Sequence, residues 1–158
     1  MDAARLIEDT RHGLARARAP QEIVAEAWQA QALAEAVGTH LLLYGPQEFE
    51  TEARGLSEAG GRLRGSLPET ARRAGRVRAA RLSDVQDQRR VLIGLGALLG
   101  EVGIALVGVA CSAEVETFYW QCMEVIDAVD ESGDRVGGLL RQLEELEQPR
   151  SDSAAWPS

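Results

Sequence analysis

Residues 91–111, VLIGLGALLGEVGIALVGVAC, admit three readings: a glycine-rich phosphate loop, a membrane span, or a small-residue helix inside a helical bundle. Gly94-Leu95-Gly96 with Gly100 after Val91-Leu92-Ile93, and Glu114 further on, superficially matches a dinucleotide fingerprint. That mechanism needs a helix after the glycines and then a second parallel strand, a crossover of about a dozen residues. Only Glu101, Val102 and Gly103 precede the next apolar run at 104–110, so the loop is excluded. A span has the length it needs. Its eleven Leu, Ile and Val residues give about −5 kcal/mol on an insertion scale, against about 2.5 to 3.5 for an acid such as Glu101 near the middle. Gly96 and Gly100 form GxxxG, a packing motif in lipid. There is no aromatic belt, and the acidic segment after Cys111 continues the same apolar pattern.

The bundle helix explains more. On a helical wheel Gly96, Gly100 and Gly103 fall together, while Gly94, Ala97, Glu101, Ala105 and Gly108 cluster on a second side. Two narrow faces imply two close neighbours, and a helix apolar all round is a central one. Each mid-helix glycine costs about 1 kcal/mol relative to Ala, a loss that close helix contact returns. Glu101 is the anomaly, a carboxylate that burial would penalise without a partner. An arginine from the basic stretch 62–90 is the expected counter-ion, giving Glu101 a structural role as a buried charge.

Outward from this helix, the upstream chain divides at clear breaks. Residues 2–19 carry Leu6, Ile7 and Leu14 on one side and end at Pro20; residues 21–43 repeat apolar positions at three-and-four spacing up to Tyr44-Gly45-Pro46. From Gln47 the period resumes to Leu63 with a break expected at Gly60-Gly61. Pro68 opens an arginine-rich helix to about Leu82, and Ser83-Asp84-Val85-Gln86 has the form of a capping box starting the next one.

Downstream, Val115, Phe118, Cys122, Val125, Val129, Ser132, Val136, Leu139, Leu143 and Leu146 alternate three and four like a heptad seam. Run backwards, the seam reaches Cys111, Gly108, Ile104, Glu101 and Ala97. One unbroken helix over 84–147 would be roughly 95 Å long, too long for a monomer of this size, so it bends or dimerises. Phe118-Tyr119-Trp120 cannot all enter one seam, because each step turns the helix by about 100°. The exposed part is an interface candidate. Residues 148–158, with Pro149 and Pro157, read as a disordered tail after a single domain over 1–147.

The chain has 158 residues and a formal charge of −8, enough for one core and the wrong sign for phosphate neutralisation, so no nucleic-acid partner is expected. The arginines of 62–90 and the acids of 114–147 are expected to neutralise each other along solvated faces. Cys111 and Cys122 make neither a disulfide framework nor a zinc site, and residues 1–13 lack an apolar signal core. A cytoplasmic protein with inert thiols is expected. His12 and His40 stand alone; no HExxH, serine elbow or ExxH pair occurs. No catalytic residue, metal or cofactor is therefore expected.

The stretches RLIEDTRHGLARAR, EIVAEAWQAQALAEAVG, RLSDVQDQRRVLIGLGALLGEVGIALVG and YWQCMEVIDAVDESGDRV resemble a small uncharacterised actinobacterial family of all-helical proteins with no assigned function. The resemblance covers nearly the whole chain and brings no site residues. The expectation is an all-α antiparallel bundle of about four to six helices with a buried Gly/Ala-rich central helix. Its function would be non-enzymatic: a protein-interaction or regulatory module forming a homodimer, or binding a helical partner, through Phe118, Tyr119, Trp120, Val125, Val129 and Val136. The alternative is a receptor for an apolar small molecule, with Glu101 as polar anchor in a pocket beside Gly96, Gly100 and Trp120. No membrane contact is expected.

Overall fold

A computed structural model describes residues 1–64 and 77–148. Among these, five α-helices form the protein: α1 (Ala3–Arg16), α2 (Pro20–Tyr44), α3 (Glu50–Gly61), α4 (Gln88–Cys111) and α5 (Glu116–Glu147). Short 3-10 turns occupy Gln47–Phe49 and Arg78–Arg81. No β-strand is present among the described residues beyond one parallel bridge between Asp2 and Asp84. The expected all-α bundle is the observed architecture.

The boundaries follow local chemistry. Pro20 opens α2, where its missing N–H is no loss, and the Glu22 side chain accepts the Ala19 N–H at 3.1 Å. The helix ends at Tyr44, before Gly45-Pro46. Gly61 closes α3 where the glycine pair predicted a break. The start of α4 differs from the sequence expectation: its cap is Asp87, whose carboxylate accepts the Arg90 N–H at 3.1 Å. Residues 83–84 are engaged elsewhere, through Ser83 N–H to Met1 O (3.1 Å) and Ala3 N–H to Asp84 O (3.0 Å). An extended pairing of that kind precludes the capping box at Ser83. The arginine-rich helix expected after Pro68 lies mainly outside the described residues, as does the tail from Pro149.

The long downstream period is two helices. They part at Ser112, whose hydroxyl donates to Gly108 O at 2.7 Å, and four connecting residues fold α5 back along α4 as a hairpin.

The central Ala/Gly-rich helix of the bundle is α2, not α4. It packs against α1, α3, α4 and α5, and every residue from Ile23 to Gly38 is buried or half-buried. The closest backbone approach lies between α2 and α3. A Cβ added at Gly38 would stand 2.6 Å from Ser57 N, and one at Gly60 would stand 2.5 Å from Glu35 N and 2.7 Å from Gln31 O. Helix α4 touches α1, α2 and α5 and inserts Leu92, Leu95, Leu98, Val102 and Leu106 into the core. Among the described elements its remaining side has no neighbour.

Candidate interaction surface

That free side of α4 carries Arg90, Ile93, Ala97, Gly100, Ile104, Val107 and Cys111, all exposed. Their spacing of 3, 4, 3, 4, 3 and 4 places them in one straight row along the helix. Ile104 is 77% exposed, and Ile93 and Val107 are about half exposed. Isolated exposed aliphatics are ordinary, whereas a continuous apolar row marks a contact surface. The glycines here do not serve packing within the chain. A Cβ at Gly100, Gly103 or Gly108 would meet nothing within 4 Å, and one at Gly94 or Gly96 only ordinary contacts with Ile7 and Val136.

Beyond the C-terminal end of the row, Val115 in the connection and Tyr119 and Trp120 at the start of α5 are exposed, Trp120 at 60%. The Tyr119 and Trp120 rings meet edge to face at 5.2 Å.

The interface residues expected on α5 separate under this geometry. Tyr119 and Trp120 are on the surface. Phe118 and Val125 are half-buried and packed on the core. Val129 (2% exposed) and Val136 (1%) belong to the core itself, which corrects their assignment to an intermolecular seam. The reason is the break at Ser112. It turns the α5 half of the heptad pattern inward, against α4 and α3, and leaves the α4 half facing out. Ala97, Ile104, Gly108 and Cys111 were legible as the backward extension of that seam; which half would be covered was not.

Glu101 flanks the row. Its carboxylate takes a two-pronged hydrogen bond from Arg11 of α1, Nη2 to Oε1 at 2.6 Å and Nε to Oε2 at 3.2 Å. The bonded carboxylate holds the Arg11 guanidinium above its ordinary pKa, first through the hydrogen bond and then through charge. The counter-ion is thus from α1 rather than from 62–90, and both side chains are about 40% exposed (38% and 41%). Glu101 is consequently not a buried charge.

Other charges distribute partly as expected: Arg62 pairs with Glu131 and Arg89 with Glu147, linking the basic stretch to α5. Arg64 and Arg78 instead pair with Glu35 and Glu26 of α2. The Arg78–Glu26 pair is bidentate, at 2.5 and 2.9 Å, and the Arg78 N–H donates to Gln29 at 3.0 Å, pinning the 3-10 turn to α2. Its hydrogen bond to Glu26 raises the Arg78 pKa against the opposing effect of burial.

Open clefts among the described residues include two beside α1. One, about 410 Å³, is lined by Ala4, Ile7, Glu8, Arg90, Ile93 and neighbours at the N-terminal end of the α4 row. The other, about 460 Å³, lies between Asp9, His12, Arg16, Arg78 and Arg81. Neither is lined by Gly96, Gly100, Glu101 or Trp120, the pocket the ligand-receptor alternative requires. His12 approaches Glu8 at 4.0 Å, and the His40 ring lies tilted beside Tyr44 with ring centres 4.9 Å apart. Among the described residues no group of three or more His, Cys, Asp and Glu side chains is arranged to hold a metal. Cys122 is buried, which pushes its thiol pKa up, while Cys111 is exposed; only the first fits the expectation of two inert thiols. By length and composition α4 is also apolar enough to cross a membrane, although 39% of its most apolar window is buried inside the bundle.

The described residues define an all-helical bundle in which α4 presents an exposed apolar face. A family model described as a family of unknown function (DUF6099) matches residues 1–142, and the chain belongs to that family. No curated protein and no solved structure matches it.

Proposed function

We propose that the protein is a non-enzymatic, cytoplasmic interaction module that self-associates through the outer face of α4 together with Val115, Tyr119 and Trp120. The observation that carries this reading is the unbroken exposed row from Ile93 to Cys111. Burying such apolar area stabilises an association by roughly 25 cal/mol per Å² before the entropic cost of joining two molecules. A single-helix contact is small for a permanent complex, which favours an association that responds to concentration and so suits a regulatory part. The exposed aromatic pair at the end of the row supports it, since Trp and Tyr dominate contact energies.

Light scattering after size exclusion, without detergent, tests the reading. The wild type is expected to shift from monomer to dimer over a concentration series. Ile104→Arg is expected to remain monomeric with an unchanged circular dichroism spectrum, and Trp120→Ala to dissociate more readily than the wild type. A wild type that stays monomeric throughout overturns self-association; a wild type that requires detergent makes α4 a membrane segment instead.

A further inference from the structure

Resting on the self-association proposed above, we infer that the partner on this face is a second copy of the chain, with the two α4 helices antiparallel and Gly100 of each opposite Ile104 of the other. The row is self-complementary only in that sense. With Ile104 set against Gly100, Val107 falls against Ala97 and Cys111 against Ile93, so each bulkier side chain but the last meets a small one. Parallel pairing would set Ile104 against Ile104 and Gly100 against Gly100, so that a bulky layer stands next to an empty one.

Charge selects the same arrangement. Arg90 stands at the N-terminal end of the row and Glu114 just past its C-terminal end. Neither side chain has an ion-pair partner among the described residues, and antiparallel pairing places Arg90 of one copy against Glu114 of the other, twice per dimer. In a parallel dimer Arg90 faces Arg90. Opposed helix dipoles add to the preference.

The pairing also accounts for Gly100, a mid-helix glycine that faces open space in the single chain. Such a residue costs about 1 kcal/mol relative to Ala with no return inside the molecule, and the Ile104 side chain of a second copy supplies the return. The row spans about 30 Å at 1.5 Å per residue. At its N-terminal end the cleft beside Ile7, Arg90 and Ile93 receives the exposed Val115 of the second copy. The Arg11–Glu101 pair at the flank remains hydrogen-bonded, so covering the face leaves no carboxylate bare. In a lipid phase the same pair and Arg90 would lie against hydrocarbon, which disfavours a membrane as the occupant.

Disulfide trapping of the full-length chain tests the register. Facing positions on closely packed helices come within the roughly 7 Å between Cα atoms that a disulfide tolerates. Under mild oxidation, Ile93→Cys is expected to give a covalent dimer through its new thiol and the native Cys111 of the other copy. The wild type, and Ile93→Cys combined with Cys111→Ser, are expected to remain non-covalent. Cross-linking of both of these controls, with no gain from Ile93→Cys alone, indicates parallel helices and overturns the inference. A wild type that dimerises by light scattering while no variant cross-links places the contact on another face, which overturns this register and leaves self-association standing. A wild type that is monomeric by scattering removes both, and insertion of the wild type into lipid vesicles replaces the second copy with a membrane.

Discussion

Gly60 and Gly100 have the same side chain and opposite surroundings. A methyl at Gly60 would meet backbone atoms of α2 at 2.5 and 2.7 Å, whereas one at Gly100 meets nothing within 4 Å. Gly60→Ala is therefore expected to destabilise the protein by about 1 to 3 kcal/mol through overpacking against a backbone that cannot rotate away. Gly100→Ala is expected to stabilise the monomer by about 0.5 to 1 kcal/mol through helix propensity. Urea unfolding of dilute samples measures both, and equal signs for the two would contradict the packing described. The two cysteines differ in the same manner. Cys111 is exposed and Cys122 is buried with its thiol pKa raised, and only a thiolate alkylates readily. Iodoacetamide at neutral pH is expected to label Cys111 in the dilute folded monomer and to reach Cys122 only when denaturant is added. Fast labelling of Cys122 without denaturant would mean that α5 opens.

At the scale of the element, α4 is two surfaces on one helix. Leu98 is completely buried and Ile104 is the most exposed large aliphatic side chain among the described residues. Leu98→Ala is expected to cost about 2 to 5 kcal/mol in thermal or urea unfolding, from lost burial and the cavity left behind. Ile104→Ala, in dilute monomer, is expected to change stability by no more than about 0.5 kcal/mol. Comparable losses at the two positions would show that the outer face is covered within the chain. The heptad pattern was legible in the sequence through both α4 and α5, but whether residues 84–147 form one helix or two was not, because the apolar period runs on across Ser112. The facing was not legible: Val129 and Val136 read as a seam for a partner and lie in the core, because the α4–α5 hairpin uses that seam to hold the chain together. A seam closed within one molecule and a seam closed between two have the same period.

For the whole molecule, association links stability to concentration, because whatever binds only the native state raises the melting temperature by mass action. Differential scanning calorimetry over a hundredfold range of protein concentration is expected to show a rising melting temperature for the wild type and a constant one for Ile104→Arg. Parallel behaviour of the two proteins would detach association from α4. The amino-acid sequence by itself determined the all-helical class, the breaks at Pro20, Gly45 and Gly61, and the apolar content of residues 91–111. These are set by local propensity and by periodicity along one chain. Only the tertiary structure decided that α2 is the central helix, that Glu101 pairs with Arg11 at distance in the sequence, and that α4 keeps one face open. The number of neighbours around a helix depends on how all the helices share a limited core, and the more apolar of two long helices does not by that alone take the centre. Here α2 takes it, since its alanines and Gly38 let α3 approach most closely, and α4 is left at the edge.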